Sequence, residues 1–324
     1  VASAAAAPPG PLMRYPARKS EPAFTEGIAK VGELDIAYRC YGDANDPPVL
    51  LVMGFNMSLL VWPEPFVQAL LDRGRYVIVF DNRDVGLSSR IHSALDPHLP
   101  MLTMARMSGL QLPVPYTLED MARDAVGVLD WLKVPAAHVI GVSMGGMIAQ
   151  VLAIHHAERL TGLGLVMTHP GAVTYSIPSP KLASLLLDQP GESYDSQLQF
   201  NLKFWNLVCG PDCHPPESEI RRLTDANCQR SREPHGRYRQ IAAIITALDR
   251  SPWLRELRIP TAVVHGTDDP LIIPRGGKTL AQLIPGARLK LIAGMGHILP
   301  PERCEEMVAF MLDTPHNASP ESTG

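Results

Sequence analysis

Chemistry is first legible in this chain at the pentapeptide Gly141-Val142-Ser143-Met144-Gly145. A serine hydroxyl is a weak nucleophile at neutral pH. It needs a base to take its proton, and the base needs a third group to hold it. G-x-S-x-G alone is a common string. Here it ends the apolar run 137–142 and opens an apolar stretch, 144–156, that reads as a helix. That strand–turn–helix setting is what a nucleophile elbow requires, because the sharp turn lifts Oγ above the sheet edge. Glycines at 141 and 145 suit it, since side chains there would run into the adjoining strand and helix. The bland alternative is an ordinary glycine-rich turn between strand and helix.

An elbow serine is followed along the chain by an acid and then a histidine. His265-Gly266-Thr267-Asp268-Asp269-Pro270 offers the acid, just past the apolar run 261–264. Gly294-Met295-Gly296-His297 offers the histidine after a strand and a glycine-rich turn. Asp269 is preferred as the acid, and Asp268 is the alternative. His297 would take the Ser143 proton, and Asp269 would hold the imidazole. The tetrahedral intermediate needs two backbone N–H donors, expected from Met144 and from Phe55 in the loop Met53-Gly54-Phe55-Asn56. Such a donor contributes about 2.7–4 kcal/mol when aimed at the developing charge. This chemistry calls for no metal and no cofactor.

These groups must be carried on a sheet. Apolar runs at 48–53, 76–80, 137–142, 163–167 and 261–264 suit strands buried on both faces. Residues 32–40 alternate, as a half-exposed strand should. Helical patterns cover 65–71, 117–132, 144–156 and 301–312, with Thr117 and Asp120 close to a capping box. Alternation of this kind means βαβ units and a mostly parallel sheet with helices on both faces. Residues 169–250 break the rhythm with helical, proline-rich sequence and read as a helical cap over the carboxyl edge of the sheet. The expected organisation is a core of 24–168 and 251–312, the cap at 169–250, a disordered tail at 1–23 and a loose tail at 313–324.

The combination of Val52-Met53-Gly54-Phe55, Phe80-Asp81-Asn82-Arg83-Asp84-Val85-Gly86-Leu87-Ser88, Tyr116-Thr117-Leu118-Glu119-Asp120-Met121, Gly141 to Gln150, His265 to Pro270 and Gly294 to His297 resembles the α/β-hydrolases. Within them it is similar to the aclacinomycin methylesterase group, over roughly 25–312. The resemblance implies an α/β-hydrolase fold, a cap between the sixth and seventh strands, and Ser143, Asp269 and His297 as triad. Many relatives carry His-Gly in the oxyanion loop where this chain has Met53-Gly54, which alters the polarity there without removing a backbone donor. Related dehalogenases and epoxide hydrolases use aspartate at the elbow; serine favours acyl transfer. The expected function is therefore hydrolysis of a medium or bulky hydrophobic carboxylic ester. Lactone or C–C bond cleavage, perhydrolysis, acyl transfer to an alcohol, and a ligand receptor with a vestigial triad are the alternatives.

Composition sets the remaining limits. The 324 residues are 46% hydrophobic and 19% charged, enough for a sizeable core, and the net charge of −4 offers no general grip on nucleic acid. No apolar run approaches a membrane span, so the expected partner is a small-molecule ester. The N-terminal Ala- and Pro-rich segment lacks the core of a signal peptide, giving an expectation of a cytoplasmic protein; the absent initiator Met is compatible with a trimmed leader. Five cysteines are too sparse for a disulfide scaffold, although Cys209, Cys213 and Cys228 leave a local pairing open. Met53, Met57, Tyr175, Phe204, Trp205 and Tyr238 are candidates to line the substrate pocket. Met101, Met104 and Met107 recur at helical spacing, as core or lid packing or as part of an adaptable pocket. Asn56-Met57-Ser58 and Asn317-Ala318-Ser319 match the glycosylation triplet by chance. Asp81-Asn82-Arg83-Asp84 reads as a structural turn with an Arg83–carboxylate pair.

Overall fold

A computed structural model describes residues 22–95, 98–171, 173–175, 180–188, 190–191, 193–211, 214–230 and 236–313. The two expected tails (apart from 22–23 and 313), Cys213 and the Asn317 triplet lie outside the described residues. The chain opens with an antiparallel hairpin, β1 (Phe24–Val31) and β2 (Leu34–Tyr41). β3 (Pro48–Val52), α1 (Glu64–Leu71) and β4 (Tyr76–Phe80) form the first βαβ unit. After β4 come α2 (Leu99–Met107) and α3 (Leu118–Trp131), then β5 (Ala137–Val142), α4 (Met144–His155) and β6 (Leu160–Val166). Thr117 caps α3, and Asp120 returns the bond to the Thr117 N–H, completing the capping box.

The eight strands run in the order β1-β2-β4-β3-β5-β6-β7-β8, with β7 at Thr261–Gly266 and β8 at Arg288–Ile292. Among the described residues only the β1–β2 and β2–β4 pairings are antiparallel. From β3 the chain steps outward to β4 and then returns to place β5 on the other side of β3. The order reverses at that point, so the loops leaving β3 and β5 part at the carboxyl edge and open a crevice, the usual ligand position in such sheets. The strands flanking it are fully buried: Val49 to Val52 and Val139 to Ile140 have no exposed area. Apolar layers cover both faces, α3 and α4 with one, α1 and α11 (Cys304–Leu312) with the other.

Between β6 and β7 the described residues form helices and no strand: α5 (Pro180–Leu187), α6 (Tyr194–Val208), α7 (Glu217–Arg230), α8 (Gly236–Thr246) and the short α9 (Ser251–Leu254), after a 3₁₀ turn at Val173–Tyr175. α10 (Arg275–Leu283) then joins β7 to β8. This insertion is fastened by buried charge. Arg230, fully buried, lies 2.9 Å from Asp81 and 2.7 Å from Glu26. Arg239 forks onto Asp84 at 2.7 and 2.9 Å, and the Tyr116 hydroxyl donates to the same carboxylate. Arg83 pairs in bidentate fashion with Asp124. The Asp81–Asp84 turn is therefore structural, and it is also the seat of the helical insertion.

One sequence expectation needs correction. Met101, Met104 and Met107 lie on α2 with 53, 69 and 77% of their surface exposed, so they pack neither a core nor a pocket. The buried face of α2 is Leu99, Leu102 and Ala105, against α8. β1 adds an edge strand outside the strand patterns of the sequence, because FTEGIAKV is half polar. No helix among the described residues is long and apolar enough to cross a membrane.

Candidate active site

Ser143 is the residue between β5 and α4, with φ 56° and ψ −119°. A non-glycine residue with positive φ is uncommon, and it persists only where the surroundings dictate it. Here its N–H bonds the Val166 carbonyl, its carbonyl takes the Met147 N–H, and the Thr168 hydroxyl donates to the same carbonyl at 2.8 Å. The helix meets the sheet at backbone contact. A Cβ on Gly145 would stand 2.0 Å from the Val52 carbonyl oxygen, and one on Gly141 would stand 2.3 Å from that of Gly145. These two glycines permit the approach that turns Ser143 outward.

Asp269 follows β7, and His297 follows β8. His297 Nδ1 lies 2.7 Å from Asp269 Oδ2. Asp269 Oδ1 accepts the Leu271 and Ile272 N–H groups, each at 2.9 Å, which aims Oδ2 at the imidazole. Burial would raise the Asp269 carboxyl. The neighbouring His297, with hydrogen bonds from His265 and His297, overcomes this and holds it well below the usual carboxylate range. His265 Nε2 stands 2.8 Å from the Ile272 carbonyl oxygen and 3.3 Å from Asp269 Oδ2. Asp268 faces elsewhere: its Oδ2 accepts from Thr267 and from the Gly294 N–H. The Gly294–His297 turn is itself pinned, since the His297 N–H donates to Val208 of α6 at 2.7 Å.

The loop after β3 approaches Ser143 closely: a Cβ on Gly54 would lie 3.3 Å from Ser143 Cβ. Phe55 is the next residue, and Asn56 takes φ 53°. Met144 opens α4, so its N–H is among those with no partner four residues back in the helix. Ser143, His297, Gly54 and Phe55 line one cavity of about 130 Å³. Its walls are apolar apart from Ser143, His297 and Glu219, and Glu219 is engaged by Arg222.

Of the expected pocket residues, Met53, Met57, Phe204 and Trp205 line this cavity. Tyr175 and Tyr238 lie outside it. Tyr175 packs on His169, with ring centroids 5.9 Å apart, and under Arg275; Tyr238 joins the apolar cluster between α2 and α8. Lining residues missed in the sequence include Leu60, Trp62, Ile220, Leu223, Leu271 and Ile298. Their only local signal is apolarity, which core residues share. Among the described residues no cluster of His, Cys, Asp and Glu could hold a metal ion, and Cys40, Cys228 and Cys304 are free thiols.

Comparison with known proteins gives a consistent family. A family model described as alpha/beta hydrolase fold matches residues 47–206 and 228–303. Rhodomycin D methylesterase DnrP of Streptomyces peucetius is 31% identical over 281 residues, 80% of this chain and 87% of that protein. Among solved structures, the enol-lactonase from Burkholderia xenovorans superimposes with a TM-score of 0.68 at 25% identity, over 89% of this chain and 99% of that one. An esterase from a Rhodococcus species does so with a TM-score of 0.66 at 25% identity, over 90% and 99%.

Proposed function

The chain belongs to the α/β-hydrolase family and is a carboxylic ester hydrolase; from that premise we propose that Ser143 is its nucleophile, His297 its base and Asp269 the group that orients the base. The observation that carries this reading is the 2.7 Å contact of His297 Nδ1 with buried Asp269, on a histidine that shares one apolar cavity with Ser143. With Nδ1 committed to the carboxylate, Nε2 is the nitrogen left to accept the serine proton. Ser143 Oγ attacks the ester carbon, and the backbone N–H groups of Phe55 and Met144 receive the oxyanion. Protonated His297 gives its proton to the departing alcohol. Water, deprotonated by the same imidazole, then attacks the acyl-serine and frees the acid.

Residues 169–250 serve as the cap in this reading. They bring Phe204, Trp205, Ile220 and Leu223 over the carboxyl edge, and those side chains support a hydrophobic substrate. The cavity volume is of the order that holds one benzene-sized group, so a bulky substrate seats one arm there and displaces side chains for the rest. The likeness to an enol-lactonase supports lactones, as cyclic esters, as a second substrate class.

Ser143→Ala tests the proposal. Hydrolysis of p-nitrophenyl butyrate should fall by ~10³-fold or more in kcat, and stoichiometric labelling by a fluorophosphonate should disappear. Turnover by this variant at the parent rate rules the mechanism out. A parent enzyme that labels fully but turns over no ester or lactone points to a receptor instead.

A further inference from the structure

We infer that Gln240, on α8 of the insertion, is a positioning residue that holds the oxyanion loop in its working shape. The inference rests on the reading of Phe55 as an oxyanion donor. The Gln240 side chain is fully buried, and both ends of its amide are used. Oε1 accepts the Asn56 N–H at 2.8 Å, and Nε2 donates to the Arg83 carbonyl at 3.0 Å. Asn56 directly follows Phe55 and sits at φ 53°, a conformation a non-glycine residue keeps only when its surroundings hold it. Gln240 therefore grips the peptide immediately after the one whose N–H must point at the oxyanion.

The loop is held at its other end by Asn82. This residue is buried, and its Nδ2 donates to the Met53 carbonyl at 3.0 Å. Asn82 and Arg83 belong to the turn after β4, so one turn serves both amides. It bonds Met53 directly through Asn82 and fixes Gln240 through the Arg83 carbonyl. Arg239, beside Gln240, is forked onto Asp84 of the same turn. α8 is thereby locked against the turn, and Gln240 can reach Asn56 only while α8 is seated there. Docking of the insertion and the shape of the oxyanion loop become one event. An oxyanion hole works by being rigid before charge develops, and displacement of a donor by a few tenths of an ångström forfeits part of its effect.

Gln240→Met tests this, because it keeps the volume and removes both bonds. We expect kcat for p-nitrophenyl butyrate to fall about 10- to 100-fold, short of the ~10²–10³ for outright loss of a donor, with KM within about threefold. Binding of a trifluoromethyl ketone, whose hemiketal mimics the oxyanion, should weaken by the same factor as kcat/KM. Gln240→Glu gives a second readout. Protonated, its carboxyl can accept from Asn56 and donate to Arg83, so its activity relative to the parent should climb as the pH is lowered. The readout a merely structural role would not move is the fall of kcat at nearly constant KM together with weaker binding of the ketone. In the unmutated enzyme, hydrogen exchange should find the Asn56 amide strongly protected. A kcat within threefold of the parent for Gln240→Met, or free-loop exchange at Asn56 in the parent, overturns the inference. If Ser143→Ala keeps full activity, both this inference and the serine mechanism fall; if Ser143→Ala is inactive while Gln240→Met is unimpaired, only Gln240 loses its role.

Discussion

Replacing Asp269 by asparagine separates the proposed relay from the scaffold that carries it. Oδ1 holds the Leu271 and Ile272 N–H groups at 2.9 Å, and an amide oxygen can keep both. Oδ2 becomes an NH₂ group 2.7 Å from His297 Nδ1 and 3.3 Å from His265 Nε2. An NH₂ cannot accept from an Nδ1–H. His297 must move its proton to Nε2, where it faces Ser143 as a donor, and the serine is left without a base. Where a triad aspartate has been neutralised in this way, the loss is about 10⁴ in kcat. At 1.36 kcal/mol per tenfold that is about 5.4 kcal/mol of barrier. Because both loop bonds survive, the variant should still melt cooperatively by circular dichroism. The assay is steady-state hydrolysis of p-nitrophenyl butyrate, with Asp268→Asn measured alongside. Asp268 bonds Thr267 and Gly294 rather than the imidazole, so its variant should lose far less. A folded Asp269→Asn enzyme within tenfold of the parent kcat refutes the reasoning.

Two further outcomes concern the frame around the site. Arg230→Met leaves Asp81 buried without its cation, while Glu26 keeps Arg39 at 3.3 Å, and should cost about 3–5 kcal/mol in urea unfolding; a loss under about 1 kcal/mol would mean the pair does not fasten α7. Burial, and after it the nearby Arg250 cation, lowers the His169 pKa from 6.5 to about 3. The unfolded chain gains its proton below about pH 6.5 while the folded protein stays neutral, so this residue's share of stability falls as pH drops through that window. The loss should reach about 2 kcal/mol between pH 7 and pH 5. His169→Gln should remove that slope, and an unchanged slope contradicts the assignment.

The features legible in the sequence were those in which neighbours along the chain carry the information. The apolar runs of β3 to β7, the Thr117–Asp120 cap and the glycines around Ser143 each state a local rule, and the structure follows them. β1 escaped because an edge strand with polar residues lacks the alternation that marks a half-buried one. The methionines of α2 misled for a related reason. Helical spacing identifies a face, but it does not say whether anything covers that face, and here the covered face is the one bearing Leu99, Leu102 and Ala105.

The sequence by itself therefore determined an alternating α/β chain with a serine elbow and, further on, an acid and a histidine after later strands. Tertiary structure alone decided which partners those residues meet. Asp269, the acid the sequence already favoured over Asp268, reaches His297 because the backbone of Leu271 and Ile272 turns its carboxylate inward. Arg230 reaches Asp81 across 149 residues and Gln240 reaches Asn56 across 184. Neither pair has a spacing or a periodicity that could announce it. Such contacts come from the packing of whole helices onto a sheet edge, and only the folded arrangement brings the donor to the acceptor.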